Sequence, residues 1–356
     1  MFGKIVYTLL LGRLVTCNLI FKPQDVLLEI DDIVQFEVLF TSEGKNEILQ
    51  LYTSQKNIVE ILNENVTLSK GDRKILHIKG ENSGHVIILG NLTKRPDVNT
   101  EEAIVRASVG KSSVWIILSD ITGWLYFAAW SFSFYPQIYE NWRRKSVVGL
   151  NFDFLALNCL GFFLYSAFNI GLYAVKPIKQ SFHDRYPYSV NPVQINDIVF
   201  SLHALVAVIA TLVQCFIYER ENQKVSIATK ILFGLFLGFL GISIVLACTS
   251  VIQPIDFLYH CSYVKLSITF IKYIPQAYMN FRRKSTVGWS IGNIFLDLIG
   301  GILSMLQMII NSYNFDDWES IFGDFTKFGL GMFSVLFDLF FMFQHYVLYK
   351  RVQVLD

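Results

Sequence analysis

Two stretches of this chain carry one pattern. Ser133-Phe134-Tyr135-Pro136-Gln137 leads to Asn141-Trp142-Arg143-Arg144-Lys145-Ser146 and then Gly149. Lys272-Tyr273-Ile274-Pro275-Gln276 leads to Asn280-Phe281-Arg282-Arg283-Lys284-Ser285 and then Gly288. Pro136 and Pro275 set a constant offset of 139 residues. Each Pro-Gln stands near the end of an apolar stretch long enough to cross a bilayer, and each Arg-Arg-Lys lies just outside it. A repeated, proline-broken apolar helix carrying polar groups is the sequence pointer to a transport site.

The rest of the chain fits a bilayer. It is 53% hydrophobic with a mean hydropathy of +0.42, and 31 Phe and 17 Tyr exceed what a soluble core needs. Seven apolar segments, about 114–139, 149–175, 194–218, 229–252, 255–279, 288–311 and 327–349, each reach the roughly 20 residues a helix needs to span. The offset relates the first two segments to the fifth and sixth. A three-helix unit repeats in parallel only if one extra span restores its direction, so two units with a fourth helix between them, 3+1+3, are expected.

Orientation follows from the connections. Arg143–Lys145, Arg220 with Lys224, and Arg282–Lys284 follow segments one, three and five, and Lys350 and Arg351 end the chain. The sixth connection is acidic (Asp316, Asp317, Glu319, Asp324), while the second, with Lys176, Lys179 and Arg185, is a mild exception. The positive-inside rule places the tail in the cytosol and the N-terminal region in the lumen. Net charge is +1, which gives no basis for a nucleic-acid partner.

Residues 18–112 are polar and differently patterned. Val34, Phe36, Val38 and Phe40 alternate with Gln35, Glu37 and Leu39. Short runs follow at Ile48–Tyr52, Ile58–Leu62, Lys74–Ile78, His85–Leu89 and Ala103–Ser108. Regular short strands between turn residues indicate a β-sandwich of seven or so strands. The sequons at Asn65 and Asn91 are expected to be glycosylated on the lumenal face. Residues 1–17 read as a signal peptide interrupted by Arg13. The expected domains are therefore 1–17, 18–112, 113–220 (first repeat), 221–253 (linker helix), 254–349 (second repeat) and 350–356 (tail). Of the cysteines, Cys17 lies in the leader and Cys159, Cys215, Cys248 and Cys261 in apolar segments, so no disulfide framework is expected in the polar domain.

Ionisable groups inside apolar segments carry the chemistry. A charge at bilayer depth costs roughly 2.5–3.5 kcal/mol on insertion scales and usually faces a cavity or partner. Asp297 lies midway in segment six, with Asn293 one turn before it; Asp197, Asp338, Lys265 and Lys272 also fall in apolar segments. Asp197 reads either as a site acid or as an interfacial one, and Lys265 either as a site group or as a snorkelling one. The repeat pairs Asp297 with Asn158 and Lys272 with Ser133, so charge is confined to the second copy. Asp297 is the expected proton-coupling acid. Pro136 and Pro275 free the carbonyls of Phe132 and Ile271; matched positions in two copies favour hinges, with Gln137 and Gln276 beside them, over incidental kinks. Tyr126, Trp130 and Phe134 form an aromatic stripe that suits packing or a site. His203 and His260 read as core histidines. No nucleophile elbow, metal-binding cluster or glycine-rich phosphate loop is found; neither enzyme activity, a catalytic or metal site, nor a cofactor is expected.

These residues resemble the PQ-loop family, and within it the lysosomal cystine carriers. The resemblance covers most of residues 115–350. It is carried by Phe134–Gln137, Asn141–Ser146, Phe152–Phe154 with Ala156–Asn158, and Tyr273 with Pro275–Asn280. Trp289–Asn293 with Asp297, and Phe322–Asp324 with Thr326–Gly331, extend it. It implies a SWEET-like α-helical membrane protein and a proton-coupled symporter exporting L-cystine from lysosome to cytosol. By that likeness Asp297 carries the proton. Trp130, Phe134, Asn158, Lys272, Tyr273, Asn280 and Asn293 line the substrate pocket, and Asp197 and Asp338 are accessory acids. Cystine, protons and the lipid bilayer are the implied partners, with sorting adaptors a further one. Tyr349–Val352 fits a tyrosine-based sorting signal, though it stands against the membrane. The alternatives are an exporter of another, cationic amino acid, or a non-transporting seven-helix receptor.

Overall fold

The computed structural model describes residues 19–41, 47–62, 65–92, 100, 103–186, 191, 193–318 and 325–349. The expected leader with Cys17, the tail 350–356, and Glu319 and Asp324 lie outside the described residues. The chain divides into two compact units, Met1–Ile116 with Tyr313–Asp317, and Ile117–Ser312 with Trp318–Asp356.

The first unit is a β-sandwich. Its strands are β1 (Leu19–Lys22), β2 (Asp25–Glu29), β3 (Ile33–Phe40), β4 (Glu47–Thr53), β5 (Val59–Ile61), β6 (Asn65–Leu68), β7 (Arg73–Gly80), β8 (Gly84–Leu92) and β9 (Ile104–Gly110). One sheet runs β1-β3-β7-β5 and the other β2-β9-β8-β4-β6, antiparallel except for the β2–β9 pair. Alternation in β3 turns Phe36, Val38 and Phe40 inward, where they pack with Leu49, Leu51, Leu76, Ile78 and Ile88. The described strands number nine; β1, β2 and β6 are the short ones the periodicity passed over. Gln50 on β4 stands opposite Asn65 of β6 on one side and Asn91 of β8 on the other. Both sequons therefore share one row of one sheet, and Asn91 is exposed.

The remaining elements are helical. They are α1 (Ser113–Arg144), α2 (Phe152–Ala174), α3 (Lys176–Arg185), α4 (Ile195–Ile217), α5 (Ile227–Cys248), α6 (Pro254–Arg283), α7 (Ile291–Phe315) and α8 (Phe325–Phe343). A short π-helix, Gln344–Leu348, continues α8. Among the described residues, five stretches are long and apolar enough to cross a membrane by length and composition: α2, α4, α5, α7 and Lys327–Leu348. The two proline-bearing helices, α1 and α6, are longer still, at 32 and 30 residues, and more polar; each runs unbroken through its proline. Their C-terminal turns end in Arg143-Arg144 and Arg282-Arg283, complementing the helix dipole.

Capping residues set where the helices begin. Asn151 Oδ1 accepts from the Phe154 amide at the start of α2, and Ser226 Oγ from that of Thr229 at the start of α5. Gln194 with Asp197, and Gln253 with Asp256, form capping boxes for α4 and α6. The short helix α3 was read from sequence as a plain connection. Its Arg185 forms an ion pair with Asp256 at 2.5 Å, which raises the guanidinium pKa further, so α3 is pinned to the start of α6. The linker helix α5 buries least of the five apolar stretches and is held to α6 by Ser243 Oγ and His260 Nδ1, 2.7 Å apart. Described cysteines Cys159, Cys215, Cys248 and Cys261 are free thiols.

Candidate functional site

The helical unit holds a partly open cavity. Of the residues singled out from sequence, Trp130, Phe134, Gln137, Asn158, Lys272, Tyr273, Asn293, Asp297 and Asp338 line it. Lys272 Nζ donates to Asn158 Oδ1 at 3.0 Å, both side chains buried. Tyr273 Oη donates to Asp297 Oδ2 at 3.0 Å. Trp130 Nε1 donates to the Asp297 carbonyl at 3.1 Å, and its ring stacks on Phe200. Gly300 lies so close beneath that indole that any side chain there would displace it. Asp338 accepts from Ser334 Oγ at 3.3 Å and is 1% exposed.

The cavity holds a further ionisable group beside Lys272, Asp297 and Asp338. Lys265, left open between snorkelling and a site role, is 3% exposed and lines the cavity, its Nζ 4.1 Å from the Phe162 ring centre. It stands two turns before Lys272, on the same face of α6. A cation over an aromatic face is favourable when desolvated. The small Gly161 gives its stem room. Thus Lys265, Lys272, Asp297 and Asp338 share one chamber, two lysines with two aspartates. Phe154, Phe162, Thr211, Trp289 and Ser334 also line it and were not foreseen; nothing in their spacing distinguishes them from packing residues. The Trp289 indole N–H is buried with no hydrogen-bond partner among the described residues.

Two expectations change. Asn280 does not line the cavity. It is wholly buried one turn beyond Gln276, where Oδ1 accepts from Gln276 Nε2 at 2.9 Å and Nδ2 donates to Gln344 Oε1 at 3.2 Å. Both ends of its amide are consumed. Asp197 also lies away from the cavity. Its Oδ1 accepts from Tyr126 Oη at 2.7 Å and lies 3.7 Å from Lys327 Nζ, while Oδ2 caps α4 through the Gln194 amide. Lys327 also meets Gln307 Oε1, and Gln307 Nε2 donates to the Ser119 carbonyl. This cluster ties α1, α4, α7 and α8 together at the end of the unit opposite the Arg-Arg-Lys turns.

At the Arg-Arg-Lys end the two copies cross. Gln137 Nε2 donates to the Gly288 carbonyl at 3.2 Å, and its Oε1 accepts from the Ser290 amide at 2.9 Å. Gln276 Nε2 donates to the Gly149 carbonyl at 3.3 Å, and its Oε1 accepts from the Asn151 amide at 3.0 Å. Each of these glutamines thus holds the loop of the other copy. Gly149 and Gly288 meet back to back with φ of 100° and 91°. A Cβ on either would strike the carbonyl of Val287 or Val148, so both the backbone twist and the approach require glycine.

The family model for the PQ loop repeat matches residues 118–178 and 257–317, the two copies described above. Cystinosin of Drosophila melanogaster is 57% identical over 274 residues, 77% of this chain and 69% of that protein. Cystinosin of Bos taurus is 51% identical over 247 residues, 69% and 67% of the two chains. A cystine transporter of Saccharomyces cerevisiae is 28% identical over 256 residues, 66% of this chain and 96% of that one.

Proposed function

The chain belongs to the cystinosin family of PQ-loop proteins, and on that premise we propose that it is a proton-coupled symporter carrying L-cystine out of an acidic lumen. The observation that carries this reading is the pairing of two lysines with two aspartates in the cavity lining. Cystine has two carboxylates and two ammonium groups. Lys265 and Lys272 suit the carboxylates, and Asp297 and Asp338 the ammonium groups. Asn158, Asn293 and the unpaired Trp289 N–H add neutral hydrogen bonds, and Trp130 and Phe134 close on the disulfide-linked middle.

Asp297 is the coupling acid in this reading. Protonating its Oδ2 replaces an acceptor by a donor, so the Tyr273 hydroxyl that donates there must turn. Tyr273 stands two residues before Pro275 and three before Gln276, which holds the opposite loop. The effect of a proton at Asp297 is therefore passed along α6 to the crossing. Release of the crossing opens the Arg-Arg-Lys end, and release of the Asp197–Lys327 cluster opens the other, each around a cavity that keeps its lining. Pro136 and Pro275 are the hinges. The helices serve as two three-helix units around α5, with the sandwich lumenal, glycans on Asn65 and Asn91, and the Arg-Arg-Lys turns cytosolic in a lysosomal membrane. Moving one proton with a neutral solute supplies about 1.4 kcal/mol per pH unit, a tenfold gradient.

The test is uptake of labelled cystine by liposomes carrying the purified protein, with and without a pH gradient. Cystine should accumulate with protons and equilibrate without them. Flux of lysine or arginine in place of cystine, or binding without flux, would overturn the reading.

A further inference from the structure

The crossing does not end at the two hinge glutamines. Gln137 Nε2 also donates to Asn141 Oδ1 at 2.9 Å, Asn141 Nδ2 donates to Gln214 Oε1 at 2.9 Å, and Gln214 Nε2 returns to the Ile138 carbonyl at 3.0 Å. In the second copy Gln276 Nε2 donates to Asn280 Oδ1 at 2.9 Å and Asn280 Nδ2 to Gln344 Oε1 at 3.2 Å. Gln344 Nε2 then returns to the Ala277 carbonyl at 3.1 Å. Ile138 and Ala277 are themselves related by the 139-residue offset, so the two relays match bond for bond.

Gln214 belongs to α4 and Gln344 opens the π-helix after α8, the third helix of each proposed unit. Their separation is 130 residues, not 139; the constant offset would pair Gln214 with Gln353, beyond the last apolar stretch. The second copy thus reaches the same bond over a chain nine residues shorter, and does so where the helix widens to π geometry. Single π-turns inside α-helices recur at functional sites.

We infer that Gln214 and Gln344 are positioning residues that carry the state of the crossing to the third helix of each unit. The inference rests on the alternating-access reading above. Each relay makes every amide both donor and acceptor, so a hinge glutamine that lets go of the opposite loop changes the partner of the asparagine and then of the third-helix glutamine. Thr211, one turn before Gln214, and Asp338, less than two turns before Gln344, line the cavity. Movement of either third helix therefore reshapes the chamber as the crossing opens. Without the relay, hinge and third helix move independently and the chamber loses its alternation while keeping its lining.

The experiment uses the full chain with Gln214→Leu, Gln344→Leu, or both, and measures equilibrium cystine binding, cystine flux in liposomes and thermal melting. Leucine preserves the bulk and removes the amide. The expected result is flux lowered about tenfold, with cystine affinity held within about threefold and matched losses from the two single variants. Unchanged flux, or flux, affinity and melting temperature falling in parallel, would overturn the inference and leave the transport reading intact. An unaltered protein that binds cystine and moves none would overturn both.

Discussion

At the Arg-Arg-Lys end the two copies are nearly interchangeable, and in the cavity they are not. Gln137 and Gln276, Asn141 and Asn280, Gly149 and Gly288 make the same bonds at similar lengths. Within the chamber, Ser133 of the first copy corresponds to Lys272, Phe134 to Tyr273 and Asn158 to Asp297. The difference separates two tasks. In the proposed reading, symmetry serves a gate between equivalent halves, and asymmetry serves a coupling site with one acid and one phenolic donor. Lys272 donating to Asn158 even makes the neutral member of one pair the partner of the charged member of another.

The sharpest way to break this comparison is to move the acid. Asp297→Asn should reduce pH-driven cystine accumulation from about 100-fold at two pH units to about one. Adding Asn158→Asp should not restore it, because Phe134 has no hydroxyl where Tyr273 has one; adding Phe134→Tyr as well offers the missing donor. Restoration by Asn158→Asp alone, measured as accumulated label, would show that the copies are equivalent in the cavity too. Next in size is Lys272→Ala, which removes a charged hydrogen-bond donor worth about 1.5–3 kcal/mol and should weaken cystine binding roughly 10- to 100-fold. Its counterpart Ser133→Ala should change affinity less than about threefold, since the Ser133 hydroxyl bonds its own helix at Trp130.

The gate should respond in the opposite manner. Gly149→Ala and Gly288→Ala each force a side chain into a left-handed backbone and against the facing loop. Each should cost more than about 1 kcal/mol, and the two melting temperatures should fall by similar amounts. A large drop from one and none from the other would show that the crossing is not shared. The smallest effect belongs to the sandwich and separates its own acid response from that of the transporter. Burial lowers the pKa of His85 below the usual histidine value, with Asp317 opposing. The folded form therefore binds a proton less readily than the unfolded one. The stability this contributes is complete above the unfolded pKa and lost as pH falls through the folded one. His85→Gln should flatten the acid side of that unit's melting profile and leave the pH dependence of flux unchanged.

Much of this was legible in the chain. The offset found both Pro-Gln segments, the sandwich showed in period-2 runs, and ionisable groups within apolar segments marked Lys272, Asp297 and Asp338. Three things were hidden for physical reasons. Lys265 has the composition of a snorkelling lysine, and only the packing of Phe162 and Gly161 around it shows that it turns inward. Asn280 is one turn from Gln276 whether it faces the chamber or the third helix; the partner Gln344 decides. Gln214 and Gln344 escape a fixed offset because the chain from the crossing to the third helix is nine residues shorter in the second copy, and hydrogen bonds depend on position in space rather than register.

In the proposed reading the second copy alone carries the proton. Its most direct test is to count protons entering with cystine in liposomes, using an internal pH dye, for the unaltered protein and for Asp297→Asn assayed by cystine counterflow. The expected result is one proton per cystine in the first and cystine exchange with no proton movement in the second. Proton entry that persists with cystine in Asp297→Asn would contradict the account.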